Sequence, residues 1–405
     1  MLLVAVLTPF VVLATRVAAD PNATPKSPIS LPFAKNFNPD GKYSPIQKDQ
    51  RRWMNLVKDY RQLEITDVPL NDSAIAYSAN IGVGSSPCTY YNLIIDTGSA
   101  NTWVGANKPY TKTKTSVKTR DSVNATYVTS SFQGIEYEDT VTIAPGVAIR
   151  QSIGVASNSS GINPYDGILG LGPKDWTVGT LSPDNTSAIP TVTDNLYNQG
   201  KIKQNVVAVS FEPTTSASVI NGELTFGGTD STKYTGDITY VPRIETPPAN
   251  KYWAIEASFQ YGNASLSNPN TTAGIVDTGT SLIGLASDAY NRYVGMTGAV
   301  FDNKTSFLRI TPAQFQNLQS LFFDIGSSQY ELNANAQIWP RAYNNVIGGE
   351  TDGIYLVVYD VGQVLSQELG FIAGMALLER LYCVFDTTNS RVGFATTQFT
   401  SANTN

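Results

Sequence analysis

One segment of this chain occurs twice, and it limits the possible folds more than any other feature. Leu93-Ile94-Ile95-Asp96-Thr97-Gly98-Ser99 returns as Gly274-Ile275-Val276-Asp277-Thr278-Gly279-Thr280, with its Asp 181 residues further on. Each copy is an apolar run, then Asp-Thr-Gly, then a hydroxyl residue. A single Asp-Thr-Gly is an ordinary turn. Two copies with matching lead-ins, about one domain length apart, imply two similar domains that each contribute one Asp. The apolar runs predict buried strands that deliver Asp96 and Asp277 to their ends. Gly98 and Gly279 let the backbone turn tightly. Thr97 and Thr278 can donate and accept, so each can tie its loop to the other.

If the two loops meet, Asp96 and Asp277 face each other. Two such carboxylates cannot both ionise easily, so the pair shares a proton and titrates in two steps. That supplies a base and an acid without histidine, which the 405-residue chain lacks entirely. The missing imidazole excludes Ser/His/Asp and Cys/His mechanisms. It also excludes His-based zinc sites, and the two cysteines alone cannot close a tetrahedral one. No metal and no cofactor are expected. A formal charge of −6 and a pI near 4.9 argue against nucleic acid as a partner.

The texture from about Ala74 onward is all-β: short runs of Val, Ile, Thr and Tyr between Gly, Pro, Asn and Asp. Strands are expected around residues 90–95, 138–143, 204–211 and 238–241. Helices are few, with candidates at 191–199, 286–299 and 311–321. Thr311-Pro312 is a good helix start, a hydroxyl N-cap followed by Pro. Residues 108–120 read as a polar surface loop.

Residues 1–19 read as a signal peptide: an apolar run too short to span a bilayer, ending in Val17-Ala18-Ala19. Eight N-x-S/T sequons agree with a secreted, extracellular product, a vacuolar destination being left open; they lie at Asn22, Asn71, Asn124, Asn158, Asn185, Asn263, Asn270 and Asn303. No later stretch reads as membrane-spanning. Cys88 and Cys383 are either a disulfide or, for Cys383 in its apolar run, a buried free thiol. Residues 20–70 carry eight Lys/Arg against six Asp/Glu, whereas residues 71–405 carry 18 against 27. A basic segment ahead of an acidic body reads as a prosegment that docks electrostatically. Within it, Trp53, Leu56, Tyr60 and Leu63 are spaced like one helix face.

At the Asp-Thr-Gly turns the chain resembles the pepsin-like aspartic proteases, from about Ala74 to Thr400. The same resemblance runs through Trp103 in residues 99–104, Asp166-Gly167-Ile168-Leu169-Gly170-Leu171, Gly222-Glu223-Leu224-Thr225-Phe226-Gly227-Gly228 and Val384-Phe385-Asp386-Thr387. It implies a bilobal all-β fold of two β-barrel-like lobes, 69–240 and 241–405, with a cleft between them and a hairpin flap above. It implies that Asp96 and Asp277 are the catalytic pair, supported by Thr97, Gly98, Ser99, Thr278, Gly279 and Thr280. Tyr127 matches the flap tyrosine, Trp103 its indole partner, and Ile168 a substrate-binding position. The implied protein is a monomeric acid endopeptidase acting on polypeptides, made as a zymogen. Its own prosegment, residues 20–68, would be the inhibitor, a Lys or Arg from about residues 48–58 meeting the dyad. The flap departs from the family: Tyr127-Val128-Thr129-Ser130 has neither usual glycine, and β-branched Val128 resists the positive φ of a hairpin tip. The family's common disulfide pairs have no counterpart either. The alternative readings are a catalytically weakened peptide-binding relative with an altered flap, and a glycoside hydrolase, which also pairs carboxylates but needs no duplicated Asp-Thr-Gly.

Overall fold

The computed structural model describes residues 28–37, 45–50, 52–53, 75–126, 130–216, 219–362 and 369–404. The signal segment, the maturation region and Tyr127 with its two following residues lie outside them. Strands dominate, as the texture predicts. Thr89–Asp96 shows why: Tyr91, Leu93 and Ile95 point one way and are fully buried, while on the other face Tyr90 is exposed and Ile94 packs against a second cluster.

The largest sheet has 14 strands and runs from Thr235–Pro242 at one edge to Leu181–Ser182 at the other. At its middle lies Ile29–Phe37, antiparallel to Val219–Phe226 on one side and Ile75–Val83 on the other. A strand from the expected prosegment is therefore an internal member of the sheet. The sequence reading gave no sign of it. The expected lobe boundary at 240/241 falls inside Thr235–Pro242, which pairs with the C-terminal strand Arg391–Thr396.

The sequence repeat is also a repeat of topology. Thr89–Asp96 runs parallel to Gly167–Gly170, which pairs antiparallel with Trp103–Val104, which in turn runs parallel to Val147–Ser160. In the second half Ala273–Val276 runs parallel to Phe371–Ala373, which pairs antiparallel with Ile283–Leu285, which runs parallel to Val358–Asp360. Each Asp loop is thus backed by the same strand arrangement.

The helix expected at 191–199 is Val192–Asn198, and that at 286–299 is Ser287–Thr297. The helix expected at 311–321 starts as predicted, with a Thr311/Gln314 capping box, but stops at Gln316. Leu321 already begins the strand Leu321–Ile325. Residues 117–120 are not loop but the start of the strand Val117–Thr126, whose outer face is exposed and so tolerates Lys and Arg. Cys88 and Cys383 are both free thiols, the second fully buried. The six sequon asparagines that are described, Asn124, Asn158, Asn185, Asn263, Asn270 and Asn303, are all exposed. Among the described residues no helix is long and apolar enough to cross a membrane.

Candidate active site

The two Asp loops meet, and their threonines hold them together symmetrically. The Thr97 N–H donates to Thr278 Oγ1 and the Thr278 N–H to Thr97 Oγ1, both at 3.0 Å. Each hydroxyl donates onward across the junction, Thr97 Oγ1 to the Val276 carbonyl (3.2 Å) and Thr278 Oγ1 to the Ile95 carbonyl (3.0 Å). Every donor is used, so the junction stays satisfied although both threonines are buried. A further tie is the Trp253 indole, which donates to the Leu171 carbonyl at 2.9 Å.

The carboxylates are held alike. The Gly98 N–H donates to Asp96 Oδ1 (2.9 Å) and the Ser99 hydroxyl to Asp96 Oδ2 (2.7 Å). The Gly279 N–H donates to Asp277 Oδ1 (2.9 Å) and the Thr280 hydroxyl to Asp277 Oδ2. A Cβ on Gly98 would stand 2.5 Å from Asp277 Oδ1, and one on Gly279 2.5 Å from Asp96 Oδ1. Each glycine is therefore required by the opposite carboxylate, and any side chain there would push the pair apart.

Arg52 occupies the space between them. Its Nη2 lies 2.6 Å from Asp96 Oδ1 and 3.1 Å from Asp277 Oδ1, and its Nε lies 2.8 Å from Asp277 Oδ2. The next residue, Trp53, donates its indole N–H to Thr280 Oγ1 at 3.0 Å. Preceding residues reach the second loop: Lys48 Nζ donates to the Gly279 carbonyl (3.3 Å), and Asp49 accepts the Ser281 and Leu282 N–H groups (3.0 and 2.9 Å). Sequence reasoning bounded this region but not the residue, because four cations lie within 48–58 and only the folded register selects one. Asp49 carried no motif, and Trp53 was marked only as one position of a helix face whose other members, Leu56, Tyr60 and Leu63, lie outside the described residues.

The two carboxyls are pushed apart. Burial drives Asp96 up, but Arg52, Ser99 and the Gly98 N–H outweigh it and hold Asp96 below its ordinary value. Burial raises Asp277 as well; Arg52 pulls it down and Asp96 pushes it up, leaving it raised. Burial also brings Asp49 up to about 6, against the pull of Lys48 and two backbone N–H groups.

Of the remaining predicted residues, Trp103 and Ile168 lie in one buried cluster. Trp103 is fully buried and stacks on Phe132, with ring centroids 4.4 Å apart and planes 9° apart. Its indole N–H has no partner among the described residues. Ile168 packs into the same cluster with Trp103, Phe132 and Tyr165. Beside this cluster, to which Val123 and Ala125 also belong, Val117–Thr126 and Ser131–Ala144 pair antiparallel as far as Thr126↔Ser131. Tyr127, assigned to the flap, lies outside the described residues.

A family model for eukaryotic aspartyl protease matches residues 76–397. The chain belongs to that family. It is 57% identical over 338 residues to polyporopepsin from Irpex lacteus, covering 84% of this chain and 99% of that protein. Human gastricsin is 30% identical over 355 residues, 83% of this chain and 85% of that one. The crystal structure of the aspartic proteinase from Irpex lacteus matches with a TM-score of 0.80 at 51% identity, covering 94% of this chain and all of that chain. This aspartyl protease is a pepsin-like endopeptidase with the bilobal all-β fold, and its substrates are polypeptides.

Proposed function

We propose that the chain is a secreted zymogen whose mature form hydrolyses peptide bonds at acid pH with Asp96 and Asp277 as its catalytic pair. The observation that carries this reading is Arg52, whose guanidinium fills the space between both carboxylates. A water bound there in its place would touch the same oxygens. The charged carboxylate takes a proton from that water, which attacks the peptide carbonyl. The protonated carboxyl polarises the carbonyl oxygen and then supplies the proton the leaving amine needs. Ser99, Thr280 and the two glycine N–H groups steady the pair through both states. Acid pH suits this chemistry because the pair must hold one proton.

The prosegment would inhibit by occupying the water's place. Its strand Ile29–Phe37 is built into the central sheet, while Lys48, Asp49, Arg52 and Trp53 contact the second Asp loop and the dyad. Exposure of all six described sequon asparagines suits passage through a glycosylating secretory route. Residues 1–19 and a maturation point between 61 and 71 complete the reading.

The test is acid digestion of a denatured protein by the secreted product, with N-terminal sequencing, beside Asp96→Asn. Wild type should lose the prosegment and cleave, with inhibition by a pepstatin-type peptide. Asp96→Asn should keep its prosegment and lose roughly 10²–10⁴-fold in kcat. Cleavage that survives the substitution would overturn the site assignment. Correctly processed protein without any cleavage would favour the weakened peptide-binding relative.

A further inference from the structure

We infer that Asn303 carries an N-linked N-acetylglucosamine that stacks on the ring of Phe301 and covers an apolar patch of the surface. The inference rests on the secreted reading above. The patch is local: Met296, Val300 and Phe301 are 44%, 69% and 50% exposed. Phe301 ends the strand Val300–Phe301, and the chain turns directly after it. Asp302 builds that turn. Its N–H donates to the Phe307 carbonyl (2.8 Å), and its carbonyl accepts the Ser306 N–H (2.7 Å). Its carboxylate accepts the Lys304 N–H (3.0 Å) and the Thr305 hydroxyl (3.1 Å). Ser306 closes the turn with a φ of 67°. Asn303 is left at an exposed corner, two residues past the ring and first in the sequon Asn303-Lys304-Thr305.

Extended backbone sends residues two apart to one side, so the first sugar on Asn303 comes within reach of Phe301. The C–H groups on a sugar face suit the negative face of an aromatic ring. The contact also removes ring surface from water. The other described sequons lack this arrangement. Asn263 has Tyr261 two residues before it, but that ring is 3% exposed and its hydroxyl accepts the Gln319 N–H at 3.0 Å. Asn124, Asn158, Asn185 and Asn270 have no aromatic residue at that place. Thr305 is only 1% exposed. The sequon hydroxyl is therefore out of an enzyme's reach once the turn has formed, and the sugar must be added first. In that step a transferase of the secretory route joins Asn303 Nδ2 to C1 of the sugar. The C1–O bond to a lipid diphosphate breaks, and the diphosphate and one amide proton leave.

The full chain should be produced in a fungal host behind its own residues 1–19, mapped by peptide mass and melted at neutral pH. Asn303 should be occupied. Asn303→Gln should lower the thermal midpoint by about 2 °C. Made on top of Phe301→Ala, the same substitution should cost no more than about 0.5 °C. Comparing the two differences cancels whatever Phe301→Ala does by itself. Trimming every glycan to its first sugar should leave the gap between wild type and Asn303→Gln in place. A bare Asn303 beside loaded sequons overturns the inference. So does an equal cost of Asn303→Gln with and without Phe301, or a gap that vanishes on trimming. Bare sequons throughout would overturn the secreted reading itself, and the inference with it.

Discussion

At the scale of single residues, the site is a problem in placing one cation. Asp96 and Asp277 are buried at 1% and 0% exposure, and Arg52 is the side chain that touches both. Removing one member of a buried ion pair leaves the other charge uncompensated, at a cost of about 3–5 kcal/mol. On the proposed zymogen reading, Arg52→Gln should therefore weaken docking of the prosegment by roughly 10²–10⁴-fold, read as inhibition by the isolated segment. It should also raise the pH at which the prosegment is lost in an acid time course. The sign follows from Asp96. Its value is depressed while Arg52 is docked, so its contribution is present above the ordinary carboxylate range and lost as pH falls through the lowered value. Asp49 works the other way. Its value of about 6 while docked lies above the free value near 4, so docking takes up a proton between these limits and is strengthened by mild acid. An unchanged release pH in Arg52→Gln would mean that other prosegment contacts set it. The dyad was legible in the sequence because Asp-Thr-Gly encodes the very contacts that hold it: a hydroxyl across the junction and a glycine under the opposite carboxylate. The tie from Trp253 to the Leu171 carbonyl was not legible, because nothing in the local sequence marks residues 82 apart as neighbours.

Among the elements, Ile29–Phe37 is the one whose loss would be felt furthest. It satisfies the facing backbone edges of Val219–Phe226 and Ile75–Val83. It also brings Lys35 to Glu379: Nζ lies 2.5 Å from Oε1, with both residues buried, and the Tyr77 hydroxyl donates to the same oxygen at 2.8 Å. Lys35→Met should leave Glu379 buried without its cation and destabilise the full-length chain by about 3–5 kcal/mol. The change should appear as a lower thermal midpoint. Adding Glu379→Gln should recover much of the loss, since replacing both charges of a buried pair is far cheaper than replacing one. No recovery in the double variant would show that the strand is held by its backbone pairing alone. Lys35 and Glu379 lie 344 residues apart, so no local pattern could announce the pair. The misjudged elements have similar causes. Leu318 and Leu321 continue the apolar spacing of the 312–316 helix, but they are buried by a turn and a strand. Polar residues 117–120 sit on an exposed hairpin face where composition imitates a loop.

For the whole molecule, the acid pH proposed above raises the question of what in a fold with no histidine would respond to it. Glu136 gives a structural answer. It lies on Ser131–Ala144 opposite Gly154 and is only 2% exposed. The Ser152 hydroxyl donates to its Oε1 at 2.6 Å, and Oε2 has no partner among the described residues. Burial, opposed by Ser152 and assisted by nearby Asp121, raises its carboxyl to about 7 from an ordinary 4.5. Between these values the folded chain holds a proton that the unfolded chain has released. Stability therefore falls as pH rises through this window and levels off above it. A shift of this size corresponds to roughly 3 kcal/mol lost from the N-terminal lobe between acid and neutral pH. Glu136→Gln keeps an acceptor for Ser152 and cannot ionise. The cost of its neutral amide is the same at every pH, so the useful quantity is the difference between two pH values. The fall in thermal midpoint from pH 4 to pH 7 should be smaller in Glu136→Gln than in wild type by about 10 °C. An equal fall in both proteins would place the pH dependence of stability on other buried carboxyls, Asp49 and the dyad among them.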